Sequence, residues 1–274
     1  MRWHPDGAKA PQWVWAEGDR RFNGHVLVDT EGQAVHTTEV DVGSGQGRLV
    51  RRDPVSLEET AVWKTEGADP HDMELLSDGR LLVANGGIPT WAETGRIKHD
   101  LDQMDPSLAL IDVTTGNVDG QWRLPDPRLS IRHLAQQPEG LIGVALQAEH
   151  ADPVARAAAP VFALFDPEGE GRLQAQPSIR SGSGYSGDVA ALRGGWLVSC
   201  PRENQVLRWS RQGKPMPPFS LEAACALAPD LRAQRAWTLG LASVIGDDGA
   251  EERRMLAVGA RFDNHAVLWP MPGP

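Results

Sequence analysis

Apolar residues in this chain come in short runs, and the residues that interrupt them are turn formers. The stretch "HDMELLSDGRLLVANGG", from His71 to Gly87, is typical: two apolar segments flank Ser-Asp-Gly, with His-Asp at the start and Asn85 at the finish. Runs of this length bounded by Gly, Asp and Pro predict β-hairpins, and no segment carries the sustained spacing of an amphipathic helix. Four hairpins share one layout: "GHVLVDTEGQAVHTTE" from Gly24, "HDMELLSDGRLLVANG" from His71, "RHLAQQPEGLIGVALQ" from Arg132 and "GDVAALRGGWLVSCPR" from Gly187. Their turn glycines are Gly32, Gly79, Gly140 and Gly195. Seven residues before these stand His25, Asp72, His133 and Asp188; seven after stand Glu39, Gly86, Gln147 and Arg202. The hairpins are polar at their open ends and apolar in the middle.

A third run follows each hairpin, "GRLVRRD" (47–53), "PSLALID" (106–112), "PVFALFD" (160–166) and "NQVLRWS" (204–210), with a further copy, "NHAVLWP", at 264–270. A more polar fourth strand comes after the next turn. Four antiparallel strands repeated along the chain predict an all-β fold, a β-propeller of four-stranded blades in a single domain over 1–274. The units fall at about 22–66, 70–125, 130–177 and 183–221, and residues 222–270 hold one irregular blade or two compressed ones. "PQWVWAE" (11–17) is expected to close the ring as an outer strand. In a blade, the first strand leaves one face of the disc and the second returns to it. The polar hairpin ends are therefore expected to meet at one mouth of the channel.

Composition agrees with many turns, since glycine (29) and proline (21) are both plentiful. Ten tryptophans against one tyrosine point to packing between sheets. A formal charge of −10 argues against nucleic acid or an anionic membrane as partner. Cys200 and Cys225 read as two separate thiols, without metal-ligand spacing. No apolar run is long enough to span a bilayer, and the N-terminal stretch carries no signal-peptide core.

The segments "FNGHVLVDTEGQAVHTTEVDVGSGQG", "PHDMELLSDGRLLVANGGIPTWAETGRIKHDLDQMDPSLALIDVTTG" and "LSIRHLAQQPEGLIGVALQ", with "CPRENQVL" and a late "DNH", resemble the bacterial domain of unknown function 1513 family over about residues 17–270. The resemblance implies a seven-bladed, periplasmic propeller whose first blade this chain largely lacks. It also implies genomic association with imelysin-type iron-uptake proteins. It implies no reaction.

Two candidate chemistries follow from the polar ends. His25, Glu39, His71 or Asp72, His133 and His265 offer imidazole and carboxylate ligands suited to a divalent metal or iron. By turn spacing Asp72 is the counterpart of His25, but by motif it is His71; neighbours on a strand face opposite ways unless a bulge adds a residue. Arg96, Lys98, Arg132 and Arg202, with Asn85 and Gln147, could instead bind a small polar, anionic or iron-containing ligand. In both cases the bland alternative is structural: imidazoles bonded within a polar channel, and cations paired with nearby Asp and Glu. "GYSGD" (184–188) fails the nucleophile-elbow pattern at Asp188, and "GSGQG" (43–47) joins two strands instead of opening a helix. Two functions remain: a non-catalytic ligand-binding or scaffold propeller, which the family resemblance implies to act in the envelope and in iron acquisition, or a metal-dependent hydrolase resembling a lactonase.

Overall fold

Strands at the centre of a blade are covered on both faces, which explains their continuous apolar runs. The computed structural model describes residues 1–4, 7–89, 97–169, 171–230, 235–247, 254–257, 262 and 264–268. Among them are five four-stranded antiparallel meanders. The first comprises β1 (Arg20–Val28), β2 (Val35–Asp41), β3 (Gln46–Arg52) and β4 (Glu59–Ala68). The second holds β5 (Pro70–Leu75), β6 (Leu81–Asn85), β7 (Ser107–Ile111) and β8 (Val118–Trp122). The third holds β9 (Leu129–Gln136), β10 (Ile142–Ala148), β11 (Phe162–Phe165) and β12 (Leu173–Ala175). The fourth holds β13 (Val189–Leu192), β14 (Gly195–Cys200), β15 (Gln205–Ser210) and β16 (Pro215–Ser220). The fifth holds β17 (Leu227–Asp230), β18 (Arg235–Leu239), β19 (Ser243–Asp247) and β20 (Arg254–Ala257). The ambiguous segment after residue 222 thus forms one four-stranded sheet. Residues 264–268, expected to be a strand, carry no strand pairing.

The first strands touch in order, β1 to β5 to β9 to β13 to β17, and so line the axis. Between successive sheets lie apolar layers. Leu49, Met73, Leu81 and Ile111 join the first two sheets, and Leu82, Leu108, Ile131 and Phe165 join the next pair. Phe162, Trp196 and Trp209 join the third to the fourth; Leu197, Leu227, Ala236 and Ile245 join the fourth to the fifth. Both tryptophans are fully buried, and their indole N–H groups donate to the carbonyls of Arg211 and Pro177. Trp3, Trp13 and Trp15 are exposed and take no part in this packing.

Two local expectations change. "PQWVWAE" is not a blade strand: Gln12 bridges Arg2, and both bond carbonyls of the β3–β4 turn, at Ser56 and Pro54. Gly195 is the first residue of β14 and not the turn itself, and a Cβ there would meet the Trp209 carbonyl oxygen at 1.9 Å. The connection from β6 to β7, which carries the long polar insertion, returns to the same end of the channel as the start of β5.

Candidate metal centre in the channel

The channel chemistry starts from irregularities in the inner strands. Register shifts fall between Phe22 and Val26 in β1 and between Pro70 and Asp72 in β5. A third falls in β9, where Ile131 and Leu134 face Leu146 and Val144. A bulge adds a residue and re-aims its neighbours, so both members of the pairs His71/Asp72 and Arg132/His133 reach the channel region. The conflict between spacing and motif is resolved this way.

His25, Asp72, His133 and Asp188 form an arc in blade order. His25 Nδ1 lies 3.0 Å from Asp72 Oδ1. His133 Nδ1 sits 3.9 Å from Asp72 Oδ2 and 3.6 Å from Asp188 Oδ1, too long for a hydrogen bond. Each carboxylate also clasps two blades. Asp72 accepts from the backbone N–H of Met73 at 2.8 Å and from that of Leu134, in the next blade, at 2.9 Å. Asp188 accepts from Val189 at 2.8 Å and Leu227 at 2.9 Å in the same pattern.

Above this arc lies His71, with His265 alongside. Ring centroids of His25, His71, His133 and His265 stand 4.7–5.1 Å apart in five pairings. Arg132 bonds His71 Nδ1 at 2.9 Å and Asp69 Oδ2 at 2.5 Å. Because a guanidinium only donates, His71 Nδ1 must accept and its proton sits on Nε2. That Nε2–H donates to His133 Nε2 at 3.2 Å, which places the His133 proton on Nδ1, toward the two carboxylates. His71 is therefore a donor in this arrangement and not a ligand.

The ligand set that remains is His25, His133 and His265, whose ligand atoms all lie within 4.8 Å of one another. His25 Nε2 is buried and has no hydrogen-bond partner, and Asp72 holds the other ring nitrogen. A carboxylate behind a ligating imidazole is the usual support of a metal site. Burial pushes His133 down to about 3, and burial with the Arg132 charge holds His71 well below its ordinary value, so both imidazoles are neutral. Burial works against protonation of His25 too, but the hydrogen bond and charge of Asp72 outweigh it and raise the pKa.

Two cavities flank the cluster. Earlier residues of the inner strands, among them Arg21, His71 and Arg132, line one of about 520 Å³ together with Asp69 of the β4–β5 link, Lys98 and Gln147. Later residues, including His25, Asp72, Glu74, His133 and Asp188, line the other, of about 560 Å³. His265 borders both. The first is basic and the second acidic. Burial, helped by the Asp72 charge, pushes Glu74 up to about 8, and burial pushes Asp188 up to about 7. A folded pKa of about 8 against an ordinary 4.5 means that the folded state holds a proton the unfolded chain releases. That contribution is present at low pH and is lost as pH rises through 8. Wild type should thus lose stability relative to Glu74→Gln on going from pH 5 to pH 9, by about 2 kcal/mol after screening by cavity water. Denaturant melts of both proteins check this; parallel pH profiles would contradict it.

Not every expected residue is here. Glu39 is fully buried on the other side of β2, bonded to Arg52 at 2.6 Å and Thr37 at 2.9 Å and paired with Arg20 at 3.4 Å. The alternation that sends Thr38 to the His71 carbonyl turns Glu39 away from the channel. Asn85 is a buried clamp, donating to Thr65 O and Ser107 Oγ. Arg202 stacks on Tyr185 at 3.8 Å and lines neither cavity. Lys98 reaches the basic cavity and pairs with Glu149; Arg96 lies outside the described residues. Asp69, Asn23 and Glu74 were not singled out by the sequence. Glu74 was within reach, two residues beyond Asp72 and so on the same strand face.

Solved structures share the fold. A catalytically inactive variant of virginiamycin B lyase from Staphylococcus aureus, with quinupristin, superposes with a TM-score of 0.62 at 11% identity, over 91% of this chain and 74% of that one. A streptogramin B lyase gives 0.60 at 10% identity over 86% and 68%. A functionally unknown protein from Desulfotomaculum acetoxidans gives 0.60 at 12% over 87% and 71%. At such identities the likeness is one of fold, and it makes this chain a β-propeller. No curated protein sequence matches it. The sequence profile of one family does, over residues 1–269, and the chain accordingly belongs to the protein family of unknown function DUF1513.

Proposed function

We propose that this propeller is a metal-binding protein of the cell envelope, serving iron acquisition, with a divalent transition ion held by His25, His133 and His265. The observation that carries the reading is the convergence of three imidazoles around a buried, partnerless Nε2 of His25. Imidazole donors suit Fe, Zn, Cu and Ni, so availability in the compartment selects among them. With metal–nitrogen bonds of about 2.1 Å, tetrahedral ligand atoms stand ~3.4 Å apart. Closing from the present spread needs inward shifts of under about an ångström per ring, which side-chain rotation supplies.

Elemental analysis of protein purified without chelator tests this directly. About one equivalent of metal per chain is expected, because the described residues hold one three-imidazole set; metal-free protein that takes up neither Fe(II) nor Zn(II) contradicts it. Chelation should also lower stability, by about 2.7 kcal/mol when the free ion had stood at a hundredfold its Kd. A calorimetric melt that is unmoved by chelator and by added metal would argue against a folded-state site.

A second reading is metal-assisted hydrolysis. Glu74 and Asp188 line the acidic cavity with pKa values displaced toward neutrality, which suits them to proton transfer from a metal-bound water. Turnover of a lactone or ester panel by metal-loaded protein, lost in Glu74→Gln, would favour it; no turnover with metal bound favours the binding reading.

A further inference from the structure

The basic cavity next to the histidines shares one of the three proposed ligands, His265, with the ion site. Arg21, Lys98 and Arg132 line it, against one carboxylate, Asp69. Both oxygens of Asp69 are engaged already, Oδ1 by Asn23 Nδ2 at 3.0 Å and Oδ2 by Arg132 at 2.5 Å. Arg132 Nε is buried without an acceptor. A buried donor left unsatisfied is costly, and an anion supplying an oxygen removes the cost. On the other side of His71 stands a second unsatisfied group, His25 Nε2, buried without a hydrogen-bond partner. His71 stands between the two, bonded to Arg132, and His265 borders both cavities.

We infer that the basic cavity is a subsite for a small carboxylate anion, held by Arg132 with Lys98 and Arg21, that binds together with the ion and completes its coordination. Three imidazoles leave at least one coordination position open. A carboxylate offers one oxygen to the metal and the other to the Arg132 guanidinium, whose Nε–H is buried without an acceptor. The cavity, about 520 Å³, has room for a dicarboxylate. This inference rests on the metal reading above.

Cobalt(II) loading of the full chain, followed by titration with succinate, separates the two. A visible d–d band on adding cobalt reports the metal centre before any anion is present. Succinate should then alter the band and bind the cobalt-loaded protein about tenfold or more tighter than the metal-free protein, as expected for coupled sites. Arg132→Gln should weaken succinate binding at least tenfold. Lys98→Gln, at an exposed side chain remote from the folding core, should weaken it several-fold while keeping the cobalt band. No band overturns the metal reading and this inference with it. A normal band with no effect of succinate, or equal affinity with and without cobalt, overturns this inference alone.

Discussion

His25→Ala combined with His133→Ala should take bound metal from about one equivalent per chain to none. The groups that hydrogen-bond to metal ligands are alone worth about 10- to 100-fold in affinity, so loss of two of three ligands costs about 10³-fold or more. The variant should also be less stable without metal. Removing the His25 ring takes one of the three hydrogen bonds of Asp72, while Asp72 and Asp188 both keep their two backbone N–H donors. The expected loss is about 1–3 kcal/mol, from the one charge-assisted bond. Stability alone therefore does not separate a metal site from a structural one. The metal-dependent increment does: wild type should gain melting temperature with added ion and the double variant should gain none. Equal gains in both would place the binding elsewhere.

Asp72→Asn should be nearly as damaging, although it changes one atom. Oδ1 receives the Met73 N–H and the His25 Nδ1–H, and Oδ2 receives the Leu134 N–H. An amide has one acceptor and one donor, so either orientation sets an NH₂ against an N–H. Burial opposes ionisation of Asp72, yet the His25 hydrogen bond and charge hold its pKa below the usual carboxylate range. The clasp is thus a charged one, and its loss is expected to cost about 2–3 kcal/mol in denaturant melts. The loosened His25 should lower metal affinity about 10- to 100-fold. Asp188→Asn, at the equivalent clasp, should cost less, since burial pushes that group up to about 7 and leaves it only about half ionised at neutral pH. Equal losses at the two positions would contradict this account of the clasps.

The turn-glycine spacing carried much of the site because a propeller repeats one address around one axis. His25, Asp72, His133 and Asp188 were found by counting from Gly32, Gly79, Gly140 and Gly195, and they form the arc. The count held even where the fourth glycine belongs to a strand and not to the turn. The forward count worked less well. Glu39 lies beyond the irregularity in β1, opposite Phe22, where simple alternation faces it away. Gln147 donates to Ser186 O and lines the basic cavity, while Arg202 sits in a short 3-10 turn after β14. Bulges are the part that the pattern left open: Pro70, His71 and Asp72 look like any strand start, and the shift appears only when Pro70 faces Asn85 and Asp72 faces Ala84. Asp69 was hidden for another reason. It occupies a left-handed position, φ 52°, in the link between two blades, outside the repeat on which the counting rests.

The central claim is that an ion sits among three named imidazoles, and anomalous diffraction from crystals of the zinc-loaded protein tests it most directly. The account predicts one anomalous peak on the channel axis, about 2.0–2.1 Å from Nε2 of His25, Nε2 of His133 and a ring nitrogen of His265. His71 should stay bonded to Arg132 in that map, while its Nε2–H gives up the bond to His133 Nε2, whose lone pair the ion takes. A peak ligated by other side chains, or a zinc-soaked channel with no peak between these histidines, would contradict it.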